Sequence, residues 1–386
     1  MDIKGDAREI IAEVLRRSAC ARPYEVERGV YVRCQSRRSA ACPSCAAQYR
    51  GDWQRLARSG MYDADGRPVE GYRYFFITLS APSFGAVHRV PKPWDKVRRR
   101  CACGAAHSPE DVELRGLPVN IDAYDYNGQV RWHGGLSRLW SSSVDAMRRQ
   151  EPSLEYFVVR EVQARMALHA HAIVRVPAGS PSSAASLGAA ARRAEAAHPA
   201  TGEMMAWGQK GVQDREITAR RRHEVDLPVN MSTAATRVIS YVSKALNYSL
   251  KDITPGQDVA GSDPSPDRLA FVERLRAAAR LHVRCKDCPD EGPVNCIRAA
   301  HRNLGYGGHT VTMSRPTENR TGWSFSQLTR KQIREERMAW AAANYPVADD
   351  DTNGEDQAWW ARFANDLRAE RARDAWEAKE HAQAAP

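Results

Sequence analysis

Several absences narrow the possibilities before any motif is read. No apolar run approaches the roughly 18 to 20 residues of a membrane span. The stretch from Met1 to Cys20 is charged and amphipathic, without the apolar core of a secretory leader. The chain is therefore expected to stay in the cytoplasm, with no membrane partner. No glycine-rich loop ends in Gly-Lys-Ser or Gly-Lys-Thr, so the phosphate cradle of a fused helicase motor is missing. Internal repeats are absent as well, which excludes a solenoid or propeller. Acidic residues are in deficit: 47 Asp and Glu against 57 Lys and Arg leave a net charge of +10. Such a chain is drawn to polyanions, with nucleic acid the first to consider.

The positive charge collects in runs. Arg98, Arg99 and Arg100 follow Lys96, and Arg220, Arg221 and Arg222 form a second run; both are candidate DNA-backbone contacts, although a solvated basic surface has the same composition. In a reducing cytosol the nine cysteines read as thiols or zinc ligands rather than disulfides.

The hydrophobic pattern predicts an α+β fold: a mainly antiparallel sheet flanked by helices. Tyr72 to Pro82 is an aromatic and β-branched run bounded by Gly71, Glu155 to Val162 is a second strand, and Leu168 to Val176 a third. Leu136, Leu139, Trp140, Val144 and Met147 recur at helical spacing between the first and second. Ala184 to Ala197 is expected as a surface helix. The Pro- and Gly-containing stretch from Thr254 to Asp267 is expected to be a loop, and Asp349, Asp350 and Asp351 set off a last helix, Asp356 to about His381. These breaks divide the chain into an N-terminal region with a cysteine cluster (1–69), a core (70–253), a Cys/His region with zinc-binding spacing (254–325) and a charged helical tail (326–386).

Chemistry concentrates at three places. His169 and His171 are one residue apart on an apolar strand, and the two-residue strand period puts both on one face. The pair alone equally describes two ordinary strand histidines. A hairpin centred near Met166 would set Gln163 opposite His169 and Glu161 opposite His171, so that all four share a face. A carboxylate, an amide and two imidazoles with positions left open make a divalent-cation site; magnesium or manganese suits it. Second, Val238, Ile239, Val242 and Leu246 form the buried stripe of a helix whose other face carries Tyr241, Lys244 and Tyr248. A phenol near that cation could serve as a nucleophile, with Lys244 supplying positive charge; two half-buried tyrosines on an amphipathic helix are the plainer alternative. Third, Cys285, Cys288, Cys296 and His301 have the spacing of a closed zinc site. Cys42 and Cys45 form another close pair with Cys34 upstream and Cys20 as a poorer fourth ligand. Cys101, Cys103 and His107 either finish that site or build their own.

Together these segments resemble the HUH endonucleases. Phe76-Ile77-Thr78-Leu79-Ser80 is similar to that family's first motif, His169-Ala170-His171 to its second and Tyr241-Val242-Ser243-Lys244 to its third. Histidines before tyrosine is the order of replication initiators and related transposases. The chain most resembles rolling-circle replication initiators of actinobacterial plasmids and integrative conjugative elements. That likeness rests on Ala41-Cys42-Pro43-Ser44-Cys45, Thr78 to Gly85, Tyr124-Asp125-Tyr126, Trp207-Gly208 and Leu304-Gly305-Tyr306-Gly307-Gly308-His309. The resemblance implies an HUH-like fold and metal-dependent nicking of single-stranded origin DNA. It also implies a 5′-phosphotyrosine, a free 3′-hydroxyl primer, and a host helicase and DNA polymerase as partners. Some relatives carry a second tyrosine four residues after the first; that position here is Ala245, leaving one tyrosine or Tyr248 as substitute. An HUH transposase and a non-catalytic, zinc-stabilised DNA-binding regulator are the competing readings.

Overall fold

In the computed structural model the placement of residues 20–21, 24–27, 30–37, 42–93, 95, 100–209, 213–219, 234–244, 265–282, 301 and 303–344 is described. Within these, side chains are described outside 24–27, 30–32, 244, 338 and 340–344. The chain divides into two units, Met1–Trp53 with Thr329–Pro386, and Gln54–Leu328.

The first unit contains β1 (Tyr24–Glu27) and β2 (Val30–Val32), an antiparallel pair. The helix α1 (Pro43–Arg58) spans the boundary between the units. The remaining elements up to residue 328 belong to the second unit: β3 (Tyr72–Ser80), α2 (Tyr126–Gln150), β4 (Glu155–Val162), β5 (Leu168–Pro177), α3 (Ala184–Arg192), β6 (Glu195–Ala197), β7 (Met204–Ala206), β8 (Arg215–Ile217), α4 (Ala235–Lys244), α5 (Pro266–His282) and β9 (Val311–Met313). Among the described residues the first unit also holds α6 (Arg330–Asn344). There Asp52, almost fully buried, accepts from the guanidinium groups of Arg330, at 3.4 Å, and Arg337.

Among the described residues the second unit is built on a five-stranded sheet of order β8-β3-β5-β4-β9, antiparallel at every pairing. The expected α+β class with an antiparallel sheet is what is found. The run Tyr72–Ser80 is apolar at nearly every position rather than alternately because both faces of the sheet are covered. One face presents Phe75, Ile77, Leu79, Ala170, Ala172, Val174 and Val158 to α2, α3 and α5. The other face carries Phe76, Thr78, His169, His171, Val159 and Glu161, and α4 packs against β4.

Three of the sequence motifs have structural reasons. Asp125 caps α2 by accepting from the Gly128 amide at 2.7 Å. Gly208 donates to the Ser80 carbonyl so closely that a Cβ there would sit 2.5 Å from the Ala81 oxygen. Gly305, left-handed at φ 89°, leaves no room for a Cβ against the Val130 carbonyl, 2.6 Å away.

Two expectations need correction. The alanine-rich helix ends at Arg192 and is not a surface element: Leu187 and Ala191 are fully buried, and Ser143 of α2 donates to the Ala191 carbonyl. Small side chains let α3 approach α2 closely. The hairpin register is also shifted. Glu161 lies opposite His169 and Val159 opposite His171, because the loop is Ala164-Arg165-Met166, closed by the Gln163 amide donating to the Ala167 carbonyl at 2.9 Å. Met166 takes the left-handed conformation (φ 62°) that a glycine would usually supply in a three-residue hairpin loop. Among the described residues no helix is long and apolar enough to cross a membrane. The last helix expected from Asp356 lies outside the described residues.

Candidate active site

Adjacent strands bring the acidic and imidazole groups together. Because Glu161 faces His169 across the ladder, with His171 two residues along the same face, one carboxylate oxygen reaches both rings. Glu161 Oε2 lies 2.8 Å from His169 Nε2 and 2.8 Å from His171 Nε2. The ring centroids are 4.1 Å apart. Thr78, on the neighbouring strand β3, places its hydroxyl 3.2 Å from His171 Nδ1. Without an ion the ring can donate from Nε2 to Glu161; were a cation held there, the Thr78 hydroxyl could accept the Nδ1 proton instead and free the Nε2 lone pair for it. Phe76 stacks on the His171 ring at 5.3 Å and 18°.

Gln163 shares the face as expected but stands behind the cluster. Its Nε2 meets His169 Nδ1 at 3.1 Å, and its Oε1 accepts from Arg165 Nε at 3.0 Å. Arg165 also donates to the carbonyls of Pro82 and Ala81 at 2.7 and 2.8 Å, anchoring the hairpin loop to the chain leaving β3.

Tyr241 projects from α4 toward these rings while Val238, Ile239 and Val242 are buried beneath it. Its hydroxyl is 3.4 Å from His171 Nε2, and the two rings meet edge-on at 5.1 Å. Phe76 touches both His171 and Tyr241. Tyr241 as a residue is 48% exposed, and the side chains of His169 and Glu161 are only partly covered, so the cluster is accessible from outside.

The ionisation states suit a cation. Burial raises the Glu161 carboxyl, but the hydrogen bonds from His169 and His171 outweigh it and hold the group down at about 2. Burial drives His171 down to about 4, against the opposing pull of Glu161. At neutral pH Glu161 is therefore ionised and His171 neutral, the states a metal ligand requires. The three offer one ligand atom each, all within 4.8 Å of one another. One carboxylate and two imidazoles with an open side fit a divalent cation that must keep positions free for substrate. The Tyr241 phenol is pushed up to about 12, first by burial and then by Glu161, with Arg215 opposing both. Arg215, on β8, lies 4.6 Å from the Phe76 ring centre; sequence reading did not single it out, and a three-residue edge strand offers no periodicity by which to do so.

Lys244 ends α4, its side chain lying outside the described residues, and Tyr248 lies outside them altogether. So do Arg98, Arg99, Arg220, Arg221, Arg222, Cys285, Cys288 and Cys296; Arg100 is exposed and His301 buried. The remaining cysteines gather in two separate groups. Cys20, Cys34, Cys42 and Cys45 converge in the first unit, with Cys20 Sγ 3.7 Å from Cys45 Sγ and 3.9 Å from Cys42 Sγ. Cys101, Cys103 and His107 do not complete that group but meet His88 in the second unit.

A family model described as RepSA, replication initiator protein of pSAM2, matches residues 12–385. A replication initiator protein from Streptomyces ambofaciens is 35% identical over 314 residues, covering 73% of this chain and 66% of that relative. The chain thus spans just under two thirds of the relative's length. No solved structure matches.

Proposed function

The chain belongs to the RepSA family of replication initiator proteins, and from that premise we propose that it is an HUH-type nickase that starts rolling-circle replication. The observation that carries this reading is the 3.4 Å approach of the Tyr241 hydroxyl to His171 Nε2, beside Glu161 and His169. Single-stranded origin DNA is the substrate. A magnesium or manganese ion held by Glu161, His169 and His171 would withdraw charge from a non-bridging oxygen of the scissile phosphate.

Tyr241 is the nucleophile. Its phenol gives up a proton, a bond forms between its oxygen and phosphorus, and the bond from phosphorus to the 3′ oxygen breaks. That oxygen takes a proton and leaves as a 3′-hydroxyl, the primer for a host polymerase behind a host helicase. The product is a 5′-phosphotyrosine, itself a phosphodiester, so a later 3′-hydroxyl can reverse the step without a nucleotide cofactor. Thr78 would hold the His171 ring in place by accepting its Nδ1 proton, and Gln163 would do the same for His169 once its amide turns to offer Oε1 to Nδ1. Lys244 stabilises the phenolate or the phosphate, and Tyr248 can act in a second transfer. Arg98 to Arg100 and Arg220 to Arg222 grip the backbone, so binding should weaken steeply with salt.

The four-cysteine group in the first unit takes a structural zinc. Sulfur-to-sulfur distances of 3.7 and 3.9 Å match the roughly 3.8 Å edge of a tetrahedron with Zn–S bonds near 2.3 Å. The Cys285, Cys288, Cys296 and His301 set has the sequence spacing for a further zinc.

The test is incubation with single-stranded origin oligonucleotide and Mn²⁺, followed by denaturing electrophoresis. A covalent protein–DNA band is expected, absent with EDTA and absent in Tyr241→Phe. A band that survives Tyr241→Phe, or no band with any strand of the origin, defeats the reading.

A further inference from the structure

We infer that His88, Cys101, Cys103 and His107 form a zinc site of two thiolates and two imidazoles that pins the long connection between β3 and α2. This inference stands apart from the nicking reading, since none of the four belongs to the Tyr241 site. Their ligand atoms all lie within 4.8 Å of one another. His88 Nδ1 is 3.2 Å from His107 Nε2, Cys101 Sγ is 3.8 Å from His88 Nδ1, and Cys103 Sγ is 3.3 Å from His107 Nε2. A tetrahedral zinc with Zn–N near 2.05 Å and Zn–S near 2.3 Å has N–N edges of about 3.3 Å and N–S edges of about 3.6 Å. The N–N separation falls just short of its edge, and the two N–S separations lie on either side of theirs.

Hydrogen bonding among the four does not account for the convergence. Two imidazole nitrogens facing each other can share one proton, and thiols are weak donors and acceptors. The surroundings are those of a metal site. Asp111 Oδ2 lies 3.4 Å from His107 Nδ1, the carboxylate partner that orients a ligating imidazole and raises its basicity. The same oxygen is fixed by the Ser108 amide at 2.8 Å. The Arg89 amide points at Cys101 Sγ at 3.4 Å, a contact that stabilises thiolate. Gly104, left-handed at φ 89°, turns the chain between Cys103 and His107, with the Gly104 amide donating to the Cys101 carbonyl at 2.9 Å. Cys103 is exposed, which leaves a path for the ion to enter.

The connection needs such a clamp. Residues 81–125 contain one 3-10 turn, Val112–Leu114, and no helix or named strand among the described residues. They nonetheless form a wall of the hairpin that carries the histidines. The His88 amide donates to the Leu117 carbonyl at 2.7 Å, and the Gly116 amide to the His88 carbonyl at 3.0 Å. Gly116 lies so close to the hairpin loop that a Cβ would sit 2.5 Å from the Ala164 carbonyl carbon. A zinc tied to His88 therefore steadies the segment on which Ala164-Arg165-Met166 rests.

Zinc content decides the matter. Chain purified from zinc-supplemented cells should lose one equivalent of zinc per chain in His88→Ala and in Cys103→Ser. Cys42→Ser, in the other group, should remove a different equivalent, so that the double variant loses both. Retention of the full zinc content by His88→Ala and Cys103→Ser overturns the assignment. Should His88→Ala fail to fold, His88→Cys keeps four ligands. Its cobalt-substituted form should keep the metal and shift the visible ligand-field bands to longer wavelength, as three thiolates replace two. An unchanged cobalt spectrum in that variant overturns the inference equally.

Discussion

His133 offers a stability test that reaches β5, the strand that carries His169 and His171. It sits on α2, fully buried, with Nδ1 2.9 Å from the Leu304 carbonyl and Nε2 accepting from the Leu168 amide at 3.1 Å. Both bonds need the neutral ring with its proton on Nδ1. Burial accordingly drives its pKa from 6.5 down to about 4, despite the bond to Leu304. The unfolded chain takes up a proton near pH 6.5, whereas the folded chain resists until about 4. Stability is therefore fully present above pH 6.5 and falls as pH drops to 4, by roughly 3 kcal/mol at 1.36 kcal/mol per unit. His133→Leu removes the titrating group and strands the Leu168 amide and the Leu304 carbonyl, at a cost of about 2–4 kcal/mol at pH 7. Urea unfolding, followed by tryptophan fluorescence from pH 7 to pH 4, should thus show a wide gap between the two proteins at pH 7. The gap should nearly close by pH 4. Groups common to both, Glu161 and His171 among them, cancel in the difference. A gap that stays constant across this range would refute the neutral-clamp argument.

Three further outcomes follow from the same geometry. Met166→Gly relieves about 1–2 kcal/mol of left-handed strain. It gives up roughly 1.5–3 kcal/mol of side-chain burial and adds 0.5–1 kcal/mol of backbone entropy, so urea unfolding should read a net loss of about 1–2 kcal/mol; a gain would show that Met166 is not a core residue. Gly60→Ala places a methyl 2.2 Å from the buried Trp323 indole, and thermal scans should report a destabilisation of about 1–3 kcal/mol, the argument failing if the midpoint does not move. Gln163→Leu should weaken Mn²⁺ binding about 10- to 100-fold in calorimetry without DNA, while Tyr241→Phe leaves it unchanged; equal affinities for Gln163→Leu and the unaltered chain would show that Gln163 does not hold His169.

The sheet core was legible because burial on both faces writes a long apolar run, and because α2 displays five apolar residues at helical spacing. The shared face of the histidine pair, and Tyr241 standing clear of the buried Val238, Ile239 and Val242, were legible because period decides which side chains share a face; the Lys244 side chain and Tyr248 lie outside the described residues. What sequence could not supply was anything set by contact across the chain. His88 stands thirteen positions before Cys101, a spacing without meaning until the fold sets the Arg89 amide and the His88 ring against Cys101 Sγ. Thr78 is one hydroxyl in an apolar strand, and its bond to His171 exists only through the β3–β5 register. β8 and β9 have three residues each, too few to reveal alternation, yet they complete the sheet. The alanine-rich α3 carries few large apolar residues, and small side chains mark close packing only when the facing helix is known.

The register of one hairpin shows how much of the site depends on such detail. An expected centre at Met166 would have placed Gln163, not Glu161, across from His169. The centre is instead Arg165, because Met166 adopts a left-handed backbone while its side chain is buried in the core, 4% exposed. Burial of that thioether outweighs the strain, so glycine, the usual occupant of this position, would be the weaker choice. The loop then has three residues, and the carboxylate that falls opposite His169 is the one able to reach His171 as well. An amide in that place would meet the same two nitrogens without a negative charge and could not hold a cation as firmly. A local balance between strain and burial at Met166 therefore goes with the register that makes Glu161 the acceptor completing the cluster.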